Sequence, residues 1–100
     1  ILCCTQSGRT ARAMARFRPE ANLIGLSPDE TVVRALRLSW GVDPMPVGVY
    51  ESTDEMVWYA VEKAVQQGRI RHGDTVLVLA GAPGSNSSAA ADVLRVVQVA

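Results

Sequence analysis

Apolar and polar positions alternate along this chain in blocks that resolve into strands and helices. Ile1-Leu2-Cys3-Cys4 is a short apolar run with the character of a buried strand, and Thr5-Gln6-Ser7-Gly8-Arg9-Thr10 follows as a small polar turn. Ala11 to Phe17 consists of good helix formers, and Pro19 predicts the stop. Leu23 to Leu26 reads as a second strand. The sequence Ser27-Pro28-Asp29-Glu30 then carries a capping box with proline at the first helical position. Val32, Val33, Leu36 and Trp40 recur at helical spacing while Arg34 and Arg37 fall off that stripe, and Gly41 predicts the end. Met45 to Tyr50 reads as a third strand. Ser52-Thr53-Asp54-Glu55 repeats the capping box and predicts a helix to about Gly68.

Gly73-Asp74 turns the chain into Thr75-Val76-Leu77-Val78-Leu79-Ala80, an unbroken apolar run expected at the middle of the sheet with both faces covered. Gly81 to Ala91 is too poor in large apolar groups to pack and reads as a loop. Val93 to Val99 is β-branched and carries Arg95 and Gln98, as expected for an antiparallel edge strand reached without a crossover helix. The order predicts an α/β domain of three layers: a mostly parallel five-stranded sheet, helices on both faces, and a final antiparallel edge strand. Residues 1–100 are expected to form a single domain, and the abrupt opening on a strand predicts a fragment. In such sheets ligands bind beyond the carboxyl ends of the strands, here the loops after Cys4, Leu26, Tyr50 and Ala80.

Composition narrows the function classes. Ten basic residues balance ten acidic ones, so no global field argues for nucleic acid or a membrane surface, and any anion site must be local. Cys3 and Cys4 are adjacent, which in a strand sends them to opposite faces and disfavours a bridge between them. His72 stands alone, and no Cys/His spacing suits zinc. The absence of a signal-peptide pattern or a bilayer-length apolar run, together with reduced thiols, points to a cytoplasmic protein.

The first loop combines the hydroxyls of Thr5, Ser7 and Thr10 with Gly8 and a helix amino-terminus. These are the parts of a phosphate cradle, and equally those of an ordinary capped helix start. It has neither the Walker spacing nor the dinucleotide glycine pattern. Arg9, Arg12 and Arg16 would share a helix face, and Arg9 ranks first because it lies in the loop's own turn. The segment holding Gly81, Pro83, Gly84 and Ser85 is either a lid over that loop or a plain connector. Trp40 is expected to plug the core or an interface, whereas Trp58 and Tyr59, as helical neighbours, diverge and leave part of the pair for subunit contact. No nucleophile, base and orienter converge, so no catalytic residue is assigned.

The run from Cys4 to Arg12, then Arg18-Pro19, Gly41-Val42, Gly73-Asp74 and Gly81-Ala82-Pro83, resembles in order and spacing the carboxy-terminal domain of pyruvate kinases. The resemblance implies a parent enzyme that transfers a phosphoryl group from phosphoenolpyruvate to ADP. It would use a lysine, magnesium and potassium held by a separate barrel domain, with no cofactor in this one. It further implies that Thr5, Ser7, Gly8, Arg9 and Thr10 hold the phosphate of an effector, a sugar phosphate or nucleotide monophosphate, beneath a lid formed by Gly81 to Ser88. The implied partners are the parent's other domains and the subunits of a homotetramer. Two departures stand out: Ala91-Asp92 occupies the place of a usual Thr-Asn pair, and the helix that usually precedes the first strand is absent. The competing readings are a stand-alone phosphometabolite-binding module and a purely structural interface domain.

Overall fold

The computed structural model describes residues 1–5, 8–48, 52–80 and 93–99. Strands β1 (Leu2–Cys4), β2 (Leu23–Ser27), β3 (Val42–Pro46), β4 (Thr75–Ala80) and β5 (Val93–Gln98) alternate with helices α1 (Arg9–Ala15), α2 (Glu30–Leu36) and α3 (Thr53–Gln66) up to β4. The strands lie in the order β3-β2-β1-β4-β5. All pairings are parallel except β4 with β5, which is antiparallel, as the sequence predicted for a final edge strand. A parallel ladder needs crossover connections, and the three helices supply them.

The side-chain alternation of β1 divides the interior in two. Leu2 and Cys4 face one core with Ile24, Leu26, Met45 and Val78, closed by Val57, Ala60 and Ala64 of α3. Cys3 faces the other with Leu23 and Val42, closed by Ala11 of α1 and Leu36 of α2. The two thiols thus point to opposite faces, and both are free and buried. Leu2, Ile24, Leu26, Leu36 and Val78 are fully buried, each worth about 1.5–3 kcal/mol. Gly25 permits the close helix–sheet approach: a Cβ there would lie 3.0 Å from Leu36 Cδ1 and 3.1 Å from Val42 Cγ1.

The third helix begins as predicted, with Ser52 Oγ accepting from Glu55 N–H at 3.1 Å. It ends in a Schellman arrangement: Gly68 at φ 72° donates to Val65 and Arg69 donates to Ala64. Other boundaries differ from the expectations. The first helix runs Arg9–Ala15 rather than Ala11 to Phe17, since Gly8 in the left-handed region starts it earlier and Arg18, at φ 47°, turns the chain before Pro19. Ser27 does not cap α2. It is the last residue of β2 and accepts from Asp29 N–H, while Asp29 itself caps the helix by accepting from Thr31 N–H at 2.8 Å. α2 stops at Leu36, so Trp40 lies beyond it on the surface instead of completing the apolar stripe.

The third strand starts three residues earlier than expected, because pairing of Leu23 with Val42 and of Leu26 with Met45 buries both apolar side chains, one on each face. The end of the expected strand, Val49 and Tyr50, lies outside the described residues. The sheet's middle is β1, not β4. Val76, Val78 and Ala80 are buried toward α3, but Leu77 and Leu79 are only half-buried on the opposite face. There α1 and α2 pack over β1, β2 and β3, and Leu94 and Val96 of β5 are exposed.

Candidate functional site

The strand order places β1 between β2 and β4, so the chain departs from β1 toward β2 and later returns on its other side at β4. The carboxyl ends of β1 and β4 therefore flank the topological switch point, where diverging crossovers leave a crevice in open α/β sheets. The predicted cradle follows β1 and lies there.

Thr5 is buried and held by its N–H, which donates to the Leu26 carbonyl at 2.8 Å and extends the β1–β2 ladder by one residue. Its Oγ1 accepts from Gly8 N–H at 2.9 Å, closing the loop. Gly8 has φ 87°, a conformation other residues adopt only with strain, and is the N-cap of α1. Arg12 N–H donates to the Gly8 carbonyl at 3.0 Å, so the first-turn N–H groups ahead of it are those the helix itself cannot pair. Arg9 is exposed and Thr10 half-buried. Gln6 and Ser7, and the lid residues Gly81, Pro83, Gly84 and Ser85, lie outside the described residues, as does Ala91-Asp92.

Arg12, which the sequence placed on a helix face with Arg9 and Arg16, comes close to the turn. Its guanidinium lies so close to Gly8 that a Cβ on that glycine would sit 3.2 Å from Arg12 Cζ. The signal was present: helical side chains lean toward the amino-terminus, so a residue four positions after the cap reaches back over the loop. Cys4, just before the loop, adds no opposing charge. Burial, then the neighbouring Cys3, pushes its thiol up to about 12, and burial raises Cys3 to about 11. Both are neutral at physiological pH.

A second concavity lies at the other end of the sheet. A cleft of about 540 Å³ opens at the amino ends of β2 and β3, lined by Pro19, Glu20, Asn22, Trp40, Asp43 and Arg69 among others. Arg69 and Asp43 form an ion pair on its wall. The sequence reading looked only to the carboxyl ends of the strands, and this cleft lies at the other end, away from the predicted cradle. On α3, Trp58 and Tyr59 do not diverge as expected; their rings meet edge to face at 4.7 Å, and both are exposed. Among the described residues, no group of three or more His, Cys, Asp or Glu converges as a metal site, and no helix is long and apolar enough to cross a membrane.

With this geometry, comparison with known proteins is decisive about family. The sequence model of the pyruvate kinase alpha/beta domain matches residues 1–97. The chain belongs to that family. It is 42% identical over 96 residues to a pyruvate kinase of Clostridium acetobutylicum, covering 96% of this chain and 20% of that protein. A pyruvate kinase of Staphylococcus aureus strain USA300 is 37% identical over 83 residues, covering 83% of this chain and 14% of that one. This pyruvate kinase alpha/beta domain thus spans at most a fifth of the length of these relatives.

Proposed function

We propose that this chain is the effector-sensing and subunit-contact domain of a cytoplasmic pyruvate kinase, whose parent polypeptide transfers a phosphoryl group from phosphoenolpyruvate to ADP. The observation that carries the sensing role is the Thr5–Gly8 turn at the switch point with the Arg12 guanidinium folded over it. A phosphate monoester there would receive the first-turn N–H groups of α1, the Thr5 and Thr10 hydroxyls and the charge of Arg12, with Arg9 at the rim. Ser7 and the segment from Gly81 to Ser85 complete the site in this reading. Sugar phosphates and nucleotide monophosphates share the required dianion. The exposed Trp58–Tyr59 pair supports the contact role in a homotetramer, since large aromatics anchor interfaces. Magnesium and potassium belong, in this reading, to the catalytic domain outside this chain.

The test is a thermal-shift panel of fructose bisphosphate, ribose phosphate, glucose phosphate and AMP on the full-length parent. One of them should raise the unfolding temperature saturably, and Arg12→Ala should abolish the rise while Arg9→Ala weakens it. A ligand at a hundred times its Kd corresponds to about 2.7 kcal/mol, and coupling of about 1–3 kcal/mol to the substrate site suffices for regulation. Unchanged binding in both variants would refute the site.

A further inference from the structure

Charge is not spread evenly over this neutral chain. The segments that join elements at the carboxyl ends of β1 to β4, residues 5–8, 28–29, 47–52 and 81–92, contain no lysine or arginine in the sequence but hold Asp29, Glu51 and Asp92. The helices that begin there add Glu30 in α2 and Asp54 and Glu55 in α3. Crossover helices run antiparallel to their strands, so Arg16, Arg18, Arg34, Arg37, Arg69 and Arg71, which close or follow the helices, collect at the amino ends instead. Arg95, midway along β5 opposite Val78, is engaged by the Asp54 carboxylate. Among the described residues, the basic side chains left at the carboxyl end are Arg9 and Arg12, both in α1, with the Arg12 guanidinium against Gly8.

Given the phosphate site proposed above, we infer that its effector carries a single phosphate group, as a sugar or nucleoside monophosphate, and that a bisphosphate gains nothing from its second. One dianion matches the charge of Arg9 and Arg12. A second, held a sugar ring away, meets carboxylates on both faces of the sheet. On one face α2 follows β2, the neighbour of β1, and opens with Asp29 and Glu30. On the other α3 packs on β1 and β4 and carries Glu55 in its first turn. Repulsion between such charges reaches about 8 Å at physiological ionic strength. A guanidinium at the second phosphate would be worth about tenfold to a hundredfold in affinity, and this end of the sheet supplies none beyond the pair already assigned to the first.

Isothermal titration of the full-length parent tests it, in the wild type and in Arg12→Ala, with fructose monophosphate, ribose phosphate, AMP and fructose bisphosphate. Only binding lost in Arg12→Ala is counted, which sets aside any contact elsewhere in the enzyme. The tightest monophosphate should bind at least as tightly as fructose bisphosphate, and the comparison of ribose phosphate with AMP separates a sugar from a nucleoside ligand. Fructose bisphosphate binding more tightly than every monophosphate overturns the single-phosphate assignment while leaving the Thr5 site standing. Binding of none of the four, or binding indifferent to Arg12→Ala, overturns both.

Discussion

The two ends of the sheet solve different problems with similar residues. At the carboxyl end, arginine is used inward: Arg12 folds over a glycine turn closed by a buried threonine hydroxyl. At the amino end it is used outward, where Arg18 covers one face of an exposed Trp40 that lines the cleft. A compact polar turn whose first-turn N–H groups the helix itself leaves unpaired suits a small anion, whereas an exposed indole beside a guanidinium suits a protein surface. Location near a helix terminus therefore does not decide function; what matters is which backbone groups the terminus leaves unpaired and how much apolar area surrounds them.

The sharpest way to break this contrast is to remove the anchor behind the amino end. Leu36 is fully buried against Gly25 and holds α2 to the sheet. Leu36→Ala should cost about 2–5 kcal/mol in denaturant unfolding, and it should shift Trp40 fluorescence before the main transition. A loss below about 1 kcal/mol would mean that α2 does not fix the position of Trp40. Gly8→Ala acts at the other end. Forcing a Cβ into φ 87° against the Arg12 guanidinium should cost about 1–3 kcal/mol, and it should impair phosphate-ester binding while native-state Trp40 fluorescence stays unchanged. Coupled loss at both ends would erase the distinction.

The smallest effect at neutral pH concerns the core between the two ends. Cys3 and Cys4 titrate near 11 and 12 when folded, above their ordinary 9.0. The folded protein keeps protons that the unfolded chain releases, so stability is flat below about pH 9 and falls as pH rises through the range to about 12. Urea midpoints measured between neutrality and about pH 10 should show this decline, and a Cys3→Ala, Cys4→Ala variant should flatten it. An unchanged slope in that variant would assign the decline to other groups.

Much of the fold was legible in the chain because its signals are local. The α3 capping box, the Gly68 stop, the opposed cysteines and the antiparallel last strand each depend on a few neighbouring residues. The expectations that failed were decided at a distance. Ser27-Pro28-Asp29-Glu30 offers two competent caps; the β2 ladder takes Ser27 as its last residue and leaves Asp29 to cap α2. Trp40 matches the apolar period of α2, but the helix ends before reaching it because Val42 is drawn into β3 beside Leu23. For the candidate loop, spacing put Arg9 in the turn itself; that the Arg12 guanidinium also lies against Gly8 follows from the backward lean of helical side chains, which residue counting ignores.

What the sequence by itself determined is the succession of strands and helices, the family, and the hydroxyl- and glycine-bearing loop after the first strand, because hydrophobic period, capping and turn residues act over a few positions. Only the tertiary structure decided that β1 rather than β4 is central, that the Thr5–Gly8 turn lies at the switch point beside the Arg12 guanidinium, and that Trp40 lines a cleft with Asn22, Asp43 and Arg69. These depend on which strands pair and which helix faces they leave uncovered, relations between segments tens of residues apart that no local pattern encodes.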